Sequence, residues 1–158
     1  MYHLYLGLGS NLGDRKQNLQ TAVERLSKEM HVRKVSPIYE TEAWGVTDQP
    51  EFLNLCLAAR STRPPWPMLR LVKQIEVDLG REPTFRWGPR LIDIDILIYE
   101  ELVVRSAGLN VPHSGLADRA SVLVPLDAIA PDLCHPLLGK RIWELRLAVD
   151  DSGVRPFP

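Results

Sequence analysis

The sequence predicts one compact domain of mixed strands and helices, and three observations carry that prediction. Period-two alternation marks strands at Leu4-Tyr5-Leu6-Gly7-Leu8, at Phe52-Leu53-Asn54-Leu55-Cys56-Leu57-Ala58-Ala59 and at Leu91-Ile92-Asp93-Ile94-Asp95-Ile96-Leu97-Ile98. Helical spacing marks two stripes, Leu19, Ala22, Val23, Leu26 and Met30, then Met68, Leu71, Val72, Ile75 and Leu79. The 158 residues are 45% hydrophobic, which suits a single domain, residues 1–158, with its own core.

The totals exclude several classes. A net charge of −1 argues against a nucleic-acid protein that relies on a general basic surface. Cys56 and Cys134 are too few for a disulfide framework and read as buried free thiols. No run reaches the ~18 apolar residues of a membrane span. The opening residues carry no basic leader, so the expected location is the cytoplasm.

Taken in order, residues 4–8 form a first strand that runs into the turn-rich Gly9-Ser10-Asn11-Leu12-Gly13-Asp14. Asp14 suits an N-cap, with Gln17 three residues on. The Gly-Ser-Asn loop is either a ligand cradle or an ordinary strand-to-helix turn. Residues 31–39 make a second strand, with Pro37 at an edge or bend. Residues 40–50 form a long polar loop, a length that is commonly functional, and Trp44 in it is a lid over a flat ligand or an anchor. In the third strand, Leu53, Leu55 and Leu57 take one face and Phe52, Asn54 and Cys56 the other. Phe52 beside Asn54 suits a flat heterocycle, stacked by one and hydrogen-bonded by the other; a core asparagine tied to backbone is the alternative.

Prolines at 64, 65 and 67 open the second helix and Gly80 ends it. Glu76 lies at the border of its apolar face, where a glutamate is usually solvated. Residues 81–90 then supply Arg81, Arg86 and Arg90 before the strand of residues 91–98. On that strand Ile92, Ile94, Ile96 and Ile98 are expected on one face, and Asp93 and Asp95 on the other, roughly 7 Å apart at about 3.3 Å per residue. Two adjacent carboxylates on a core strand demand positive charge, from arginine or from a divalent cation. Mg²⁺ is commonly held by one or two carboxylates plus substrate phosphates, and arginines clamp phosphate oxygens. Residues 99–104 read as a turn and return strand, 110–115 as a loop bearing His113, and 116–119 as a short helical piece ending in Arg119. Residues 122–131 read as apolar packing broken by prolines, Ile142, Leu145 and Ala148 as a last short helix, and 151–158 as a tail.

Several stretches together resemble the 6-hydroxymethyl-7,8-dihydropterin pyrophosphokinase family of folate biosynthesis. They are Gly9-Ser10-Asn11-Leu12-Gly13, Tyr39-Glu40-Thr41, Asp48-Gln49-Pro50-Glu51-Phe52-Leu53-Asn54, Glu76 with Gly80-Arg81, Arg86-Trp87-Gly88-Pro89-Arg90 with Ile92-Asp93-Ile94-Asp95-Ile96, and Val111-Pro112-His113 with Arg119, Leu123 and Pro125-Leu126. The resemblance implies an α+β sandwich around a mostly antiparallel, ferredoxin-like sheet flanked by helices. It implies transfer of pyrophosphate from MgATP to the pterin's hydroxymethyl oxygen, leaving AMP. By position it implies Asp93 and Asp95 as ligands of two Mg²⁺ ions, with Arg81 and Arg90 sharing the catalytic role. Asn11, Glu76, Arg81, Arg86, Trp87, Arg90, Ile96, His113 and Arg119 would form the ATP site. Gly9, Thr41, Glu42, Trp44, Phe52, Asn54 and Asp95 would hold the pterin. The expected partners are these two small molecules, without nucleic acid or membrane, acting on a monomer. Ser121 stands where the family has an aromatic opposite Phe52, which leaves one ring face for Trp44 or another residue to cover. The alternatives are a metal-dependent phosphohydrolase using the same aspartates, and a non-catalytic binding module in which they pair with arginine.

Overall fold

The computed structural model describes residues 1–43 and 48–158. The elements run β1 (Tyr2–Ser10), α1 (Arg15–Ser27), β2 (His31–Val35), β3 (Tyr39–Thr41), β4 (Phe52–Ser61), α2 (Pro65–Asp78), β5 (Asp93–Tyr99), β6 (Val104–Arg105), β7 (Asn110–Val111), α3 (Ala120–Ile129), α4 (Ile142–Leu147) and β8 (Arg155–Pro156), with a 3-10 turn at Leu116–Asp118. The main sheet has the order β5-β1-β4-β3-β8, with β2 beside the other half of β4, and its pairs are antiparallel. Strands β6 and β7 form a separate ribbon. The α+β class and the helix-flanked antiparallel sheet thus agree with the sequence. None of the helices among the described residues is long and apolar enough to cross a membrane.

Alternation divides the sheet into two faces. Leu4, Leu6 and Leu8 of β1, Leu53, Leu55 and Leu57 of β4, and Ile92, Ile94 and Ile96 on and just before β5 are buried on one face. They pack against Leu19, Ala22 and Leu26 of α1 and Met68, Val72 and Ile75 of α2. Each leucine, isoleucine, valine or methionine among them contributes about 1.5–3 kcal/mol when fully buried. On the opposite face Cys56, Leu97 and Ile98 pack with Leu123 and Leu126 of α3 and Ile142 and Leu145 of α4. That second cluster occupies one end of its face. The other end carries Phe52, Asn54, Gly9, Asp93 and Asp95, and is left open by α3 and α4.

The local start and stop signals hold. Asp14 Oδ1 accepts from Gln17 N–H at 3.1 Å and caps α1. Pro65 and Pro67 lie in the first turn of α2, and Gly80, at φ 101°, follows its end.

Cys56 is buried as expected but Cys134 is exposed, and four further expectations need correction. Ile98 does not share a face with Ile92, Ile94 and Ile96: the register with β1 steps from Leu6↔Ile96 to Tyr5↔Ile98, a bulge that skips Leu97 and turns Ile98 toward α3 and α4. The strand expected over 31–39 is two strands, because Pro37 cannot donate to the ladder. Ser36 bridges the break, its N–H donating to the Cys56 carbonyl at 2.8 Å and its Oγ accepting from Cys56 N–H at 2.9 Å. Residues 122–131 are largely helical despite Pro125, since α3 buries Leu123, Val124, Pro125 and Leu126 together. Residues 155–156, within the expected tail, pair with β3 instead.

Glu76 departs furthest from expectation. It is 2% exposed, because its Oε2 accepts from the backbone N–H of Ile94 at 2.7 Å on the outer edge of β5. Arg81 Nη1 lies 2.8 Å from the same oxygen, and Lys73 Nζ 3.3 Å from Oε1. This carboxylate therefore substitutes for a missing neighbouring strand and ties α2 to β5. Glu76→Ala leaves a buried N–H and two cations without their acceptor, a loss of about 2–3 kcal/mol. For a chain of this size thermal denaturation should register a fall of about 4–10 °C. Glu76→Gln, which keeps one carbonyl acceptor for Ile94, should cost less.

Candidate active site

The open end of the sheet becomes a cleft because β1 is empty where its neighbours are not. Gly9 pairs with Asn54 of β4 on one side and with Asp93 of β5 on the other; Gly7 pairs likewise with Cys56 and Asp95. A Cβ at Gly9 would come within 3.1 Å of Asn54 Oδ1 and 3.4 Å of Phe52 Cδ1, and one at Gly7 within 3.4 Å of the Leu97 methyls. The two glycines leave a trough down the middle of the sheet. Phe52 and Asn54 wall it on one side, Asp93 and Asp95 on the other. Thr41, Glu42, Trp87, Gly88, Arg90, Arg119, Ser121 and Val122 complete the rim.

Asp93 is one-fifth exposed and engaged by two guanidinium groups: Arg81 Nη1 at 3.1 Å and Arg90 Nη1 at 3.2 Å. Both take the same oxygen, Oδ1, and neither takes Oδ2. Asp95 has His113 Nε2 at 3.9 Å. Its carboxyl pKa is pushed up to about 7, first by burial and next by the adjacent charge of Asp93. His113 is pushed down by burial and then by Arg119. Its Nδ1 accepts from Gly115 N–H at 3.0 Å, so the neutral ring carries its proton on Nε2, toward Asp95.

Asn11 organises the loops around this centre. It is 1% exposed; its Nδ2 donates to Gln49 Oε1 at 2.9 Å and to the Pro50 carbonyl at 3.0 Å. Its Oδ1 accepts from Arg90 N–H at 2.7 Å, and its own N–H donates to the Arg90 carbonyl at 3.0 Å. Gln49 in turn donates from Nε2 to the Trp87 carbonyl at 2.7 Å. The loop after β1, the segment before β4 and the arginine-bearing loop are thus locked to one another. Trp87 itself has φ 64°, in the left-handed region, and has the guanidinium carbons of Arg86 at 5.0 Å and Arg119 at 5.2 Å from its ring centre.

The structure brings most of the sequence-predicted residues to one place. Thr41, Glu42, Phe52, Asn54, Trp87, Arg90, Asp93, Asp95 and Arg119 line the cleft, and Gly9 forms its floor. Arg81 and Arg86, with Lys73 and Glu76, line an adjoining basic hollow. The Ile96 side chain is not at the site, since it is buried in the core under α1 and α2. Asn11 has both amide hydrogens committed to other loops, so it holds Arg90 in place. Trp44 lies outside the described residues. Gly7, Gln49, Lys73 and Val122 were not singled out from sequence. Two of them had a signal: Gly7 precedes Gly9 by two on a strand and so shares its face, and Gln49 lies within the matching stretch Asp48-Gln49-Pro50.

Asp93 and Asp95 fit a hard divalent cation: adjacent oxygen donors on one face, one of them raised in pKa by burial and then by its neighbour's negative charge. Among the described residues no group of three or more metal-ligating side chains exists, so a cation here would complete its shell from substrate oxygens and water.

Comparison with known proteins agrees with this geometry. Residues 5–131 match the family model described as 7,8-dihydro-6-hydroxymethylpterin-pyrophosphokinase. The chain is 40% identical over 157 residues to the 2-amino-4-hydroxy-6-hydroxymethyldihydropteridine pyrophosphokinase of Aquifex aeolicus, covering 99% of this chain and 96% of that one. It is 44% identical over 156 residues to the enzyme of the same name from Methylorubrum extorquens, covering 98% of each. Its fold is similar to that of Plasmodium falciparum HPPK-DHPS, with a TM-score of 0.75 at 17% identity. That match covers 93% of this chain and 43% of the other, so the chain spans under half the length of that protein.

The raised pKa of Asp95 fixes the sign of a pH effect. The folded chain holds a proton that the unfolded chain releases in the ordinary carboxylate range, so stability from this group is full below that range and is lost as pH rises through about 7. In chelator, Asp95→Asn should raise the melting temperature only slightly at pH 5, where the loss has just begun. At pH 8 it should raise it by about 2–4 °C, for about 1 kcal/mol of relieved repulsion after solvent screening. A melting series from pH 5 to 8 on both proteins checks this.

Proposed function

The chain belongs to the 7,8-dihydro-6-hydroxymethylpterin-pyrophosphokinase family, and we propose that the cleft over Gly7 and Gly9 is where it performs that family's reaction. It transfers pyrophosphate from ATP to the hydroxymethyl group of 6-hydroxymethyl-7,8-dihydropterin in folate biosynthesis. The hydroxymethyl oxygen bonds to the β-phosphorus, the bond from that phosphorus to the α-phosphate's bridging oxygen breaks, and AMP leaves while the hydroxyl proton passes to solvent.

The observation that carries the assignment is the trough itself, with a ring-stacking and amide wall facing two carboxylates under a rim of guanidinium groups. Phe52 supplies an apolar face for the pterin ring. Asn54 Nδ2 donates to Thr41 Oγ1 at 2.8 Å, which fixes the amide so that its carbonyl oxygen stands over Gly9 as an acceptor for ring N–H groups. Ser121 and Val122 form the wall at the start of α3. Val122 gives apolar cover where Ser121 is too small to stack, and Glu42 closes the rim. Arg81, Arg86, Arg90 and Arg119, with Trp87 stacked among them, grip the polyphosphate, while His113 and the backbone at Ile96 lie on the nucleotide side. Glu76 and Asn11 hold Arg81 and Arg90 in position.

Asp93 and Asp95 are the residues that would hold Mg²⁺, two ions in this reading, which when bound neutralise phosphate charge and lower the cost of hydroxyl ionisation. No side chain is needed as a dedicated base: positioning the hydroxyl against the β-phosphorus and balancing the charge that develops on its oxygens supply the acceleration. The chain acts as a single-domain monomer in the cytoplasm on small molecules, without nucleic acid or membrane. The near-neutral net charge of −1 supports the absence of a nucleic-acid partner.

Incubation with ATP, Mg²⁺ and the hydroxymethyl pterin should yield AMP and the pterin diphosphate, read by chromatography; ADP as product would reject the assignment. Asp95→Ala should lower kcat by about a hundredfold or more. Arg90→Ala, which removes a charged donor from the phosphates, should lower kcat/KM for ATP about tenfold.

A further inference from the structure

We propose that the C-terminal segment of residues 151–158 is a strap that positions the pterin wall, with Arg155 as its key residue. The inference rests on the pterin placement above and extends it to residues remote from the cleft.

Strand β3 is three residues long and would be a poor support alone, since a strand that short has few ladder bonds. It nevertheless carries the Thr41 hydroxyl that orients Asn54, and it pairs Tyr39↔Asn54 and Thr41↔Phe52 with β4. Strand β8 covers its outer edge, in the register Tyr39↔Pro156 and Glu40↔Arg155, and Phe157 N–H donates to the Ile38 carbonyl at 2.9 Å. Arg155 Nη2 reaches Glu40 Oε1 at 3.3 Å and also bonds Glu51 Oε2.

Those two glutamates have a particular position in the chain. Glu40 lies in β3 and Glu51 immediately before β4, so they flank residues 42–50, which carry Glu42 of the cleft rim and Gln49 of the Asn11 knot. One guanidinium therefore ties the two ends of the segment together. Arg15 repeats the link from α1: its Nη1 lies 2.8 Å from Glu40 Oε2 and donates to the Glu51 carbonyl at 2.9 Å. Phe157 packs against the core and lies beneath the Arg15 guanidinium at 5.6 Å. Toward the phosphate end the link runs through Gln49 and Asn11 to Trp87 and Arg90, while Arg81 is held separately by Glu76. The strap should thus act more strongly on pterin binding, where β3 pairs directly with Phe52 and Asn54, than on nucleotide binding, which it reaches only through Gln49 and Asn11.

Steady-state kinetics on Arg155→Ala, Arg155→Lys and Glu51→Gln test this, with Asn54→Ala as the control for the pterin site. Arg155→Ala should raise the pterin KM about fivefold, with kcat and the ATP KM within about twofold of the wild type. Glu51→Gln should shift the same constant in the same direction, since it breaks the bridge from its other end. Arg155→Lys, which keeps the charge but loses the forked donor, should recover part of the loss. An unchanged pterin KM in Arg155→Ala, or equal rises in both KM values, overturns the strap. If Asn54→Ala also leaves the pterin KM unchanged, the pterin placement itself has failed; if Asn54→Ala raises it and Arg155→Ala does not, the strap alone has.

Discussion

Two carboxylates on successive same-face positions of one strand impose a constraint that much of this protein answers. Asp93 and Asp95 cannot both ionise comfortably in a half-buried cleft, and the second of them shows the cost as a carboxyl pushed up to about 7. Arg81 and Arg90 offset Asp93, yet each is itself held by a residue that sequence alone assigns to something else. Glu76 anchors Arg81 from a buried position on α2, and Asn11 fixes the backbone of Arg90 from the loop after β1. The charge balance is therefore built across three separate segments of the chain, and it is left incomplete at Asp95. A cation and its phosphates would complete it.

Glu76 and Asp95 make an instructive pair, because one fold treats a buried acid and a half-buried one in opposite ways. Glu76 has a backbone N–H, an arginine and a lysine on its carboxylate, which makes it a structural clamp between α2 and β5. Asp95 has a neutral imidazole at 3.9 Å and a like charge one pleat away. An acid that the fold satisfies contributes to stability; one that it leaves wanting is available to a ligand. Strain of this kind is what a site stores and a satisfied core does not.

Much of this could be read from the chain because period-two alternation records which face a residue takes. Leu53, Leu55 and Leu57 against Phe52, Asn54 and Cys56 placed the ring wall, and Asp93 and Asp95 placed the acids opposite. The fold class followed from the same alternation and from the two helical stripes. What escaped was whatever depends on a partner distant in sequence. A bulge at Leu97 is a property of the β1 pairing, not of the residues around it, so Ile98 was assigned to the wrong face. Pro125 argued against a helix locally, while the packing of Leu123 and Leu126 on the sheet outweighed it. The helix border position of Glu76 suggested solvent, because the N–H it satisfies belongs to a strand eighteen residues further on. The roles of Asn11 and Gln49 as a knot, and of Arg155 as a bridge, likewise exist only once three loops and the chain's end have met.

The position of the cleft on the sheet follows from how the second face is shared. Helices α3 and α4 need an apolar floor, which Cys56, Leu97 and Ile98 provide at one end of β4 and β5. Past that cluster the same face changes character within one pleat on each strand: Cys56 gives way to Asn54, and Leu97 to Asp95. A helix laid across those polar groups would have to leave them without water or partners, at a cost of roughly 1–3 kcal/mol for each unsatisfied group. The polar switch therefore ends the helical cover, and the glycines of β1 keep the exposed floor low enough for a flat ligand to settle between the two walls. Hence the same residues proposed to recognise substrate also keep the protein from burying the cleft.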